Sequence, residues 1–206
     1  MSSTPVVGAA IPRRGSALLR ASGRAILRAM GWRIEGEIPD VPKLVIAVAP
    51  HTSNWDFVVG VGTIFALDLR LNFLGKHTLF RGPPGALMRW IGGIPVDRAS
   101  PHGVVGDAVA AFARSERRVL AIAPQGTRKP GARYKSGFVH IARGAGVPIL
   151  LATLDYGARC VRLGPAFEPG EDVEAELARV EAFYAGVQGK RSQPAQAVLV
   201  PPRTKA

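Results

Sequence analysis

His51 and Asp56 stand five positions apart in the stretch Pro50-His51-Thr52-Ser53-Asn54-Trp55-Asp56-Phe57, directly after the apolar run Leu44-Val45-Ile46-Ala47-Val48. An imidazole and a carboxylate at that spacing can work as a base and its orienter. If the chain turns into a helix after Pro50, the carboxylate folds back onto one ring nitrogen and fixes the tautomer. The other nitrogen is then left to take a proton from a hydroxyl. Spacing alone equally allows a helix-capping Asp beside a surface His. Ser53 lies within reach of a nucleophile role, yet no Gly-x-Ser-x-Gly elbow surrounds it, and Ser53 or Asn54 reads better as an N-cap or turn residue.

A second constellation, Pro124-Gln125-Gly126-Thr127-Arg128, follows the apolar run at 119–123. Gly126 lets the backbone turn and expose N–H groups, Thr127 offers a hydroxyl, and Arg128 offers a planar fork that matches phosphate oxygens. Lys129, Arg133 and Lys135 add positive charge around it. A third, Gly93-Ile94-Pro95-Val96-Asp97-Arg98, delivers Arg98 at the end of a short apolar run, and Lys76 and His77 follow another. Any one of these is an ordinary solvated basic loop. Several strand ends all delivering cations point to a shared anion pocket, because function in α/β sheets gathers where strands end.

These side chains need a sheet to hold them. From residue 41 on, β-branched and helix-like segments alternate: strands over 43–49, 71–75, 94–96, 118–123, 147–154 and 160–163, and helices over 57–69, 84–91, 103–115, 136–143 (ended by Gly144) and 171–186. The pattern predicts an α/β single domain, a layered sheet of mixed strands flanked by helices. No internal repeat or linker divides it. Ahead of it, residues 1–12 read as a loose tail and 13–31 as an amphipathic helix. Arg20, Arg24 and Arg28 make a basic stripe; Leu19, Gly23, Ile26, Leu27 and Met30 make an apolar one; Trp32 closes it. Such a helix suits an anionic membrane surface, or packs on its own domain like any core-facing helix. The expected division is 1–34 as tail and basic helix, 35–190 as the working domain and 191–206 as an irregular tail.

The 206 residues carry 27 Lys and Arg against 15 Asp and Glu, a net charge of +12 and a pI near 11.0. That excess calls for an anionic partner. Nucleic acid is not expected, since no aromatic-interleaved basic motif, zinc spacing or helix-turn-helix pattern is present. No acidic residue precedes Glu35, a composition that also fits an organellar transit peptide, but no secretory signal is expected. The longest charge-free apolar run, 57–67, is too short to cross a bilayer. One cysteine, Cys160, excludes an intrachain disulfide and reads as a buried small hydrophobe. The four histidines have no metal-ligand spacing, so no metal is expected.

Taken in order, the blocks His51…Asp56, Gly93…Arg98, Pro124-Gln125-Gly126-Thr127-Arg128 and Val147-Pro148-Ile149 resemble the glycerolipid acyltransferase superfamily, typified by 1-acylglycerol-3-phosphate acyltransferases. The wording His-Thr-Ser-Asn-Trp-Asp-Phe looks like a short bacterial branch of it. The resemblance implies a glycerol-3-phosphate acyltransferase-like fold and a transferase in phospholipid biosynthesis. His51 would be the general base, oriented by Asp56, and the acceptor hydroxyl would attack the thioester of acyl-CoA or acyl carrier protein without an acyl-enzyme. Arg98, Gly126, Thr127 and Arg128, joined by Gln125 and Lys76, would hold a lysophospholipid-like acceptor's phosphate. No cofactor is implied beyond the acyl donor as co-substrate. The family also implies the cytoplasmic face of the inner membrane, with peripheral or monotopic attachment. The sequence departs from the family at Gln125, where glutamate is usual. Glutamine keeps the size and drops a negative charge. An acceptor of another kind, an amino-acid lipid, a glycolipid or a pigment, is the alternative, and a non-catalytic membrane-surface protein is a second.

Overall fold

In the computed structural model, residues 4–96, 103–128 and 132–191 are described. The chain begins with helix α1 (Ala17–Ala29), whose first turn is capped by the Ser16 hydroxyl accepting from Leu19 N–H. Strand β1 (Arg33–Gly36) follows, then β2 (Lys43–Ala49), a nearly continuous apolar run buried on both faces as a central strand requires. Helix α2 (Trp55–Ala66) leads to β3 (Asn72–Lys76) and a 3₁₀ turn (His77–Phe80). Helix α3 (Gly82–Ile91) starts on two prolines that suit a helix's first turn and stops at Gly92, left-handed at φ 119°. Then come β4 (Gly93–Val96), α4 (Gly103–Ala113), β5 (Arg118–Ile122), α5 (Gly137–Ala145), β6 (Ile149–Asp155), β7 (Cys160–Phe167) and α6 (Val173–Tyr184).

The strands form one sheet in the order β1-β7-β6-β2-β5-β3-β4. β6, β2, β5, β3 and β4 run parallel, so their carboxyl ends share one edge. β7 turns back antiparallel on β6, and β1 pairs parallel to β7. Alternate residues of β2 feed two cores. Leu44 and Ile46 join Leu27, Val59 and Ala66 under α1 and α2; Val45 and Ala47 join Phe112, Phe138, Ile141 and Val180 under α4, α5 and α6. The result is three layers, as the alternation predicts.

Three expectations change and one is narrowed. Residues 4–12 are no loose tail: Val7 and Ile11 sit in the core beside α2, and the Arg117 guanidinium bonds to the carbonyls of Ala9 and Ala10. Of the two readings of the apolar stripe of α1, packing on the domain holds for Gly23 and Leu27, which are buried against α2, while Ile26 of the same stripe stays exposed. Trp32 is buried, its ring edge-on to Tyr156 with centroids 4.8 Å apart. Gly144 lies inside α5, and the left-handed cap is Gly146, φ 61°. The tail from 192 lies outside the described residues. Among those described, no helix is long and apolar enough to cross a membrane.

Candidate active site

His51 follows the end of β2, two residues past Ala49 and its cis bond to Pro50, at the edge where the parallel strands end. Asp56 occupies the first turn of α2, where the positive helix end favours a carboxylate. Its Oδ2 accepts from Thr52 N–H at 2.6 Å and Ser53 N–H at 2.7 Å, and stands 3.2 Å from His51 Nδ1. Its Oδ1 accepts from the Tyr156 hydroxyl at 2.8 Å. Burial by itself raises this carboxyl. The bonds from His51, Ser53, Tyr156 and Thr52 outweigh it and hold Asp56 below the usual carboxylate range. Burial, and then the bond and charge of Asp56, push the Tyr156 phenol far up, so it stays a donor.

The far nitrogen of His51 meets Arg128. The Nε of Arg128 lies 3.1 Å from His51 Nε2, and its Nη1 donates to Asn54 Oδ1 at 2.5 Å. Arginine can only donate and an ionised carboxylate can only accept. The two partners therefore fix one neutral tautomer, with the proton on Nδ1 and the lone pair on Nε2. That is the form a base needs.

The loop bearing Arg128 turns at Gly126, φ 62°, where Gly126 N–H bonds to Ala123 C=O at 2.9 Å. The Lys135 side chain lies over that turn. Thr127 is half-buried beside Arg128. Gln125 is placed differently from a substrate contact: it is 1% exposed. Its Oε1 accepts from His51 N–H at 3.5 Å and its Nε2 donates to Ala132 C=O at 3.2 Å, so the amide braces the backbone behind the imidazole. Lys76 ends β3, exposed, on the same sheet edge. Arg98, Asp97 and Lys129 lie outside the described residues. Among the described residues, no cluster of three metal-ligating side chains forms.

Three site residues are not evident from sequence. Tyr156 directly follows β6, and the register Ala49↔Thr153 brings the ends of β2 and β6 side by side. The rule about strand ends that picks out β2 and β5 finds it once applied to β6. Asn54 stands at the N-cap of α2, as its sequence context suggests, but its side chain makes no cap bond and holds Arg128. Lys190 reaches back so that its Nζ sits 4.6 Å from the Trp55 ring centroid. No local pattern could signal that contact, because it depends on residues 188–191 returning over the site, with Tyr156 N–H bonded to Gln188 C=O at 2.8 Å.

A family model described as Acyltransferase matches residues 33–153, more than half of the chain. Among solved structures, the chain is similar to the crystal structure of the 1-acyl-sn-glycerophosphate (LPA) acyltransferase PlsC from Thermotoga maritima. The TM-score is 0.58 and the identity 17%, over 81% of this chain and 75% of that one. At that identity the likeness is one of fold. None of the curated proteins matches.

Proposed function

This chain belongs to the Acyltransferase family, an enzyme of the glycerolipid acyltransferase superfamily, and from that premise we propose that it moves a fatty acyl group from acyl-CoA or acyl carrier protein to the hydroxyl of a lysophosphatidic-acid-like acceptor. The observation that carries the proposal is the fixed tautomer of His51, its Nδ1 facing Asp56 at 3.2 Å and its Nε2 turned to Arg128 at 3.1 Å. In the resting site Arg128 occupies the position an acceptor hydroxyl must take. The acceptor's phosphate draws that guanidinium off Nε2 and the hydroxyl replaces it. His51 takes the hydroxyl proton as the oxygen attacks the thioester carbonyl. The C–O bond forms, the C–S bond breaks, and the proton held on Nε2 passes to the leaving thiolate. Asp56 stays ionised throughout and stabilises the transient imidazolium. Arg128, Thr127 and the Gly126 turn receive the phosphate, with Lys76 as a further cation on the same sheet edge; the family resemblance gives Arg98 the same role. Gln125 acts behind the base rather than on substrate.

The test is acyl transfer from labelled acyl-CoA to a panel of lysophospholipids. His51→Ala should lower kcat by about 10²–10⁴-fold, the usual contribution of a positioned general base. Transfer at the parent rate would overturn the proposal. Equal transfer to acceptors with and without phosphate would remove the phosphate pocket from it.

A further inference from the structure

Helix α3 has the sequence Gly-Pro-Pro-Gly-Ala-Leu-Met-Arg-Trp-Ile, apolar apart from Arg89, yet only Gly85 and Ile91 are buried. Leu87 is 52% and Trp90 54% exposed, and Leu79 of the preceding 3₁₀ turn is 49% exposed. A lone exposed leucine needs no explanation, but three large apolar side chains left half in solvent on two adjoining elements do. The rim of this face is basic: Lys76, His77, Arg81 and Arg89 are exposed, and no Asp or Glu occurs between Leu69 and Val96. Arg89 stacks over the Phe80 ring at 5.6 Å, which anchors the cation at the edge of the apolar surface.

The face is firmly built. Trp90 packs on Phe65 of α2 with centroids 6.0 Å apart, and the Arg14 guanidinium bonds to the carbonyls of Trp90 and Ile91. Phe57, two residues from Trp55, packs on Phe73 of β3 at 5.8 Å, which ties the start of α2 to the strand that leads into the 3₁₀ turn. That turn begins at the carboxyl end of β3, the sheet edge that holds His51. An exposed tryptophan and leucines rimmed by arginines, free of acid, match the boundary between lipid tails and anionic headgroups.

We propose that the 3₁₀ turn and α3, and not the apolar stripe of α1, form the surface that seats on an anionic lipid bilayer, with Leu79, Leu87 and Trp90 entering the headgroup boundary and Arg81 and Arg89 meeting its charge. On α1 the stripe buries Gly23 and Leu27 against α2; Ile26, 37% exposed, and Leu18, outside the stripe, are its exposed large apolar side chains, and they stand without a second adjoining apolar element. Seated this way, the strand-carboxyl edge opens beside the membrane, and an acceptor held in the bilayer by its own chain presents its headgroup to His51. In that respect the surface rests on the proposed transfer reaction, but binding itself requires no turnover.

The experiment is co-sedimentation of the full chain with vesicles of phosphatidylcholine alone and of phosphatidylcholine mixed with phosphatidylglycerol, without acyl donor. Binding to the mixed vesicles should exceed binding to the neutral ones and weaken with salt. The double variant Leu79→Ser/Leu87→Ser, whose side chains are already half in solvent, should lower the partition by about tenfold. Arg81→Glu should lower it only on anionic vesicles. In a Trp55→Phe background, brominated lipid should quench Trp90. His51→Ala should bind as the parent does, which separates loss of the chemistry from loss of the surface. Arg24→Glu/Arg28→Glu abolishing binding while Leu79→Ser/Leu87→Ser leaves it intact would overturn the proposal. So would a lipid-free dimer, or protection by residues 192–206, that covers Leu87.

Discussion

Asp56 has four donors around two oxygens, and each contributes to keeping the base in one tautomer. Tyr156 is the donor whose removal disturbs least else, since the phenylalanine ring still packs against Trp32. Tyr156→Phe should lower kcat about tenfold with KM nearly unchanged, the scale expected when one hydrogen bond to a charged group is lost. It should also move the acid limit of stability. A carboxyl held low in the folded state contributes stability above its unfolded pKa and loses it as pH falls through the folded value. With the Tyr156 bond gone, that folded value rises, so acid unfolding should set in at higher pH than in the parent. A variant with an unchanged acid midpoint would show that the phenol does not act on Asp56. Gln125 makes the opposite case. Gln125→Glu restores the family's usual residue, and the new oxygen can still accept from His51 N–H, but nothing then donates from that side chain to Ala132 C=O. The expected cost is about 1–3 kcal/mol in a denaturant titration, with transfer by the folded enzyme little altered. Faster turnover with no loss of stability would instead place residue 125 on the substrate.

The crossing of α1 and α2 depends on Gly23, whereas Gly60 of α2 stands clear of it. A Cβ at Gly23 would meet Gly62 C=O at 2.7 Å and the backbone at Ala66, which cannot move aside as a flexible side chain does. Gly23→Ala gains about 1 kcal/mol of helix propensity and faces about 1–3 kcal/mol of overpacking, so it should destabilise. Gly60, in α2, has open space where an alanine methyl would go, with nothing within 4 Å, and Gly60→Ala should stabilise by about 0.5–1 kcal/mol. Paired thermal melts would read both signs, and a stabilising Gly23→Ala would mean that the helices do not touch there. The same crossing marks where sequence reading stops. The amphipathic period of residues 13–31 is plain and the helix forms, but periodicity states only that one face is apolar and not what covers it. Strands 43–49 and 118–122 are legible because central parallel strands are apolar on both faces. The four-residue β1 is not, since Arg33-Ile34-Glu35-Gly36 buries only Ile34 and gets its partner, β7, from more than a hundred residues away. His51, Asp56 and Arg128 are legible as chemistry at strand ends; Tyr156 needs the register of β6 on β2, Asn54 the approach of the loop after β5, and Lys190 the returning chain.

Charge and core are distributed over the molecule in a way that contradicts a detachable N-terminus. Residues 1–34 look separable because they carry every early arginine and no acid. The folded chain uses them as structure: Ile11 and Val7 fill the core on the α2 side, Leu27 seals it, and Trp32 backs Tyr156 and, through it, Asp56. Arg20 adds an ion pair at 3.0 Å to Asp68, a buried carboxylate just past α2 that also accepts from Ser16 N–H. Deleting 1–34 would leave that carboxylate without its cation and strip one face of the sheet of several fully buried side chains, each worth about 1.5–3 kcal/mol. Against a net stability of about 5–15 kcal/mol for a domain, the sum decides the outcome. The truncated chain should fail to fold rather than persist as a soluble enzyme lacking its membrane contact. Limited proteolysis should accordingly give no stable fragment beginning near residue 35, and circular dichroism of the truncated chain should show no cooperative melt. A folded, active truncated form would mean that α1 is an appendage, and its apolar stripe would again be open to lipid.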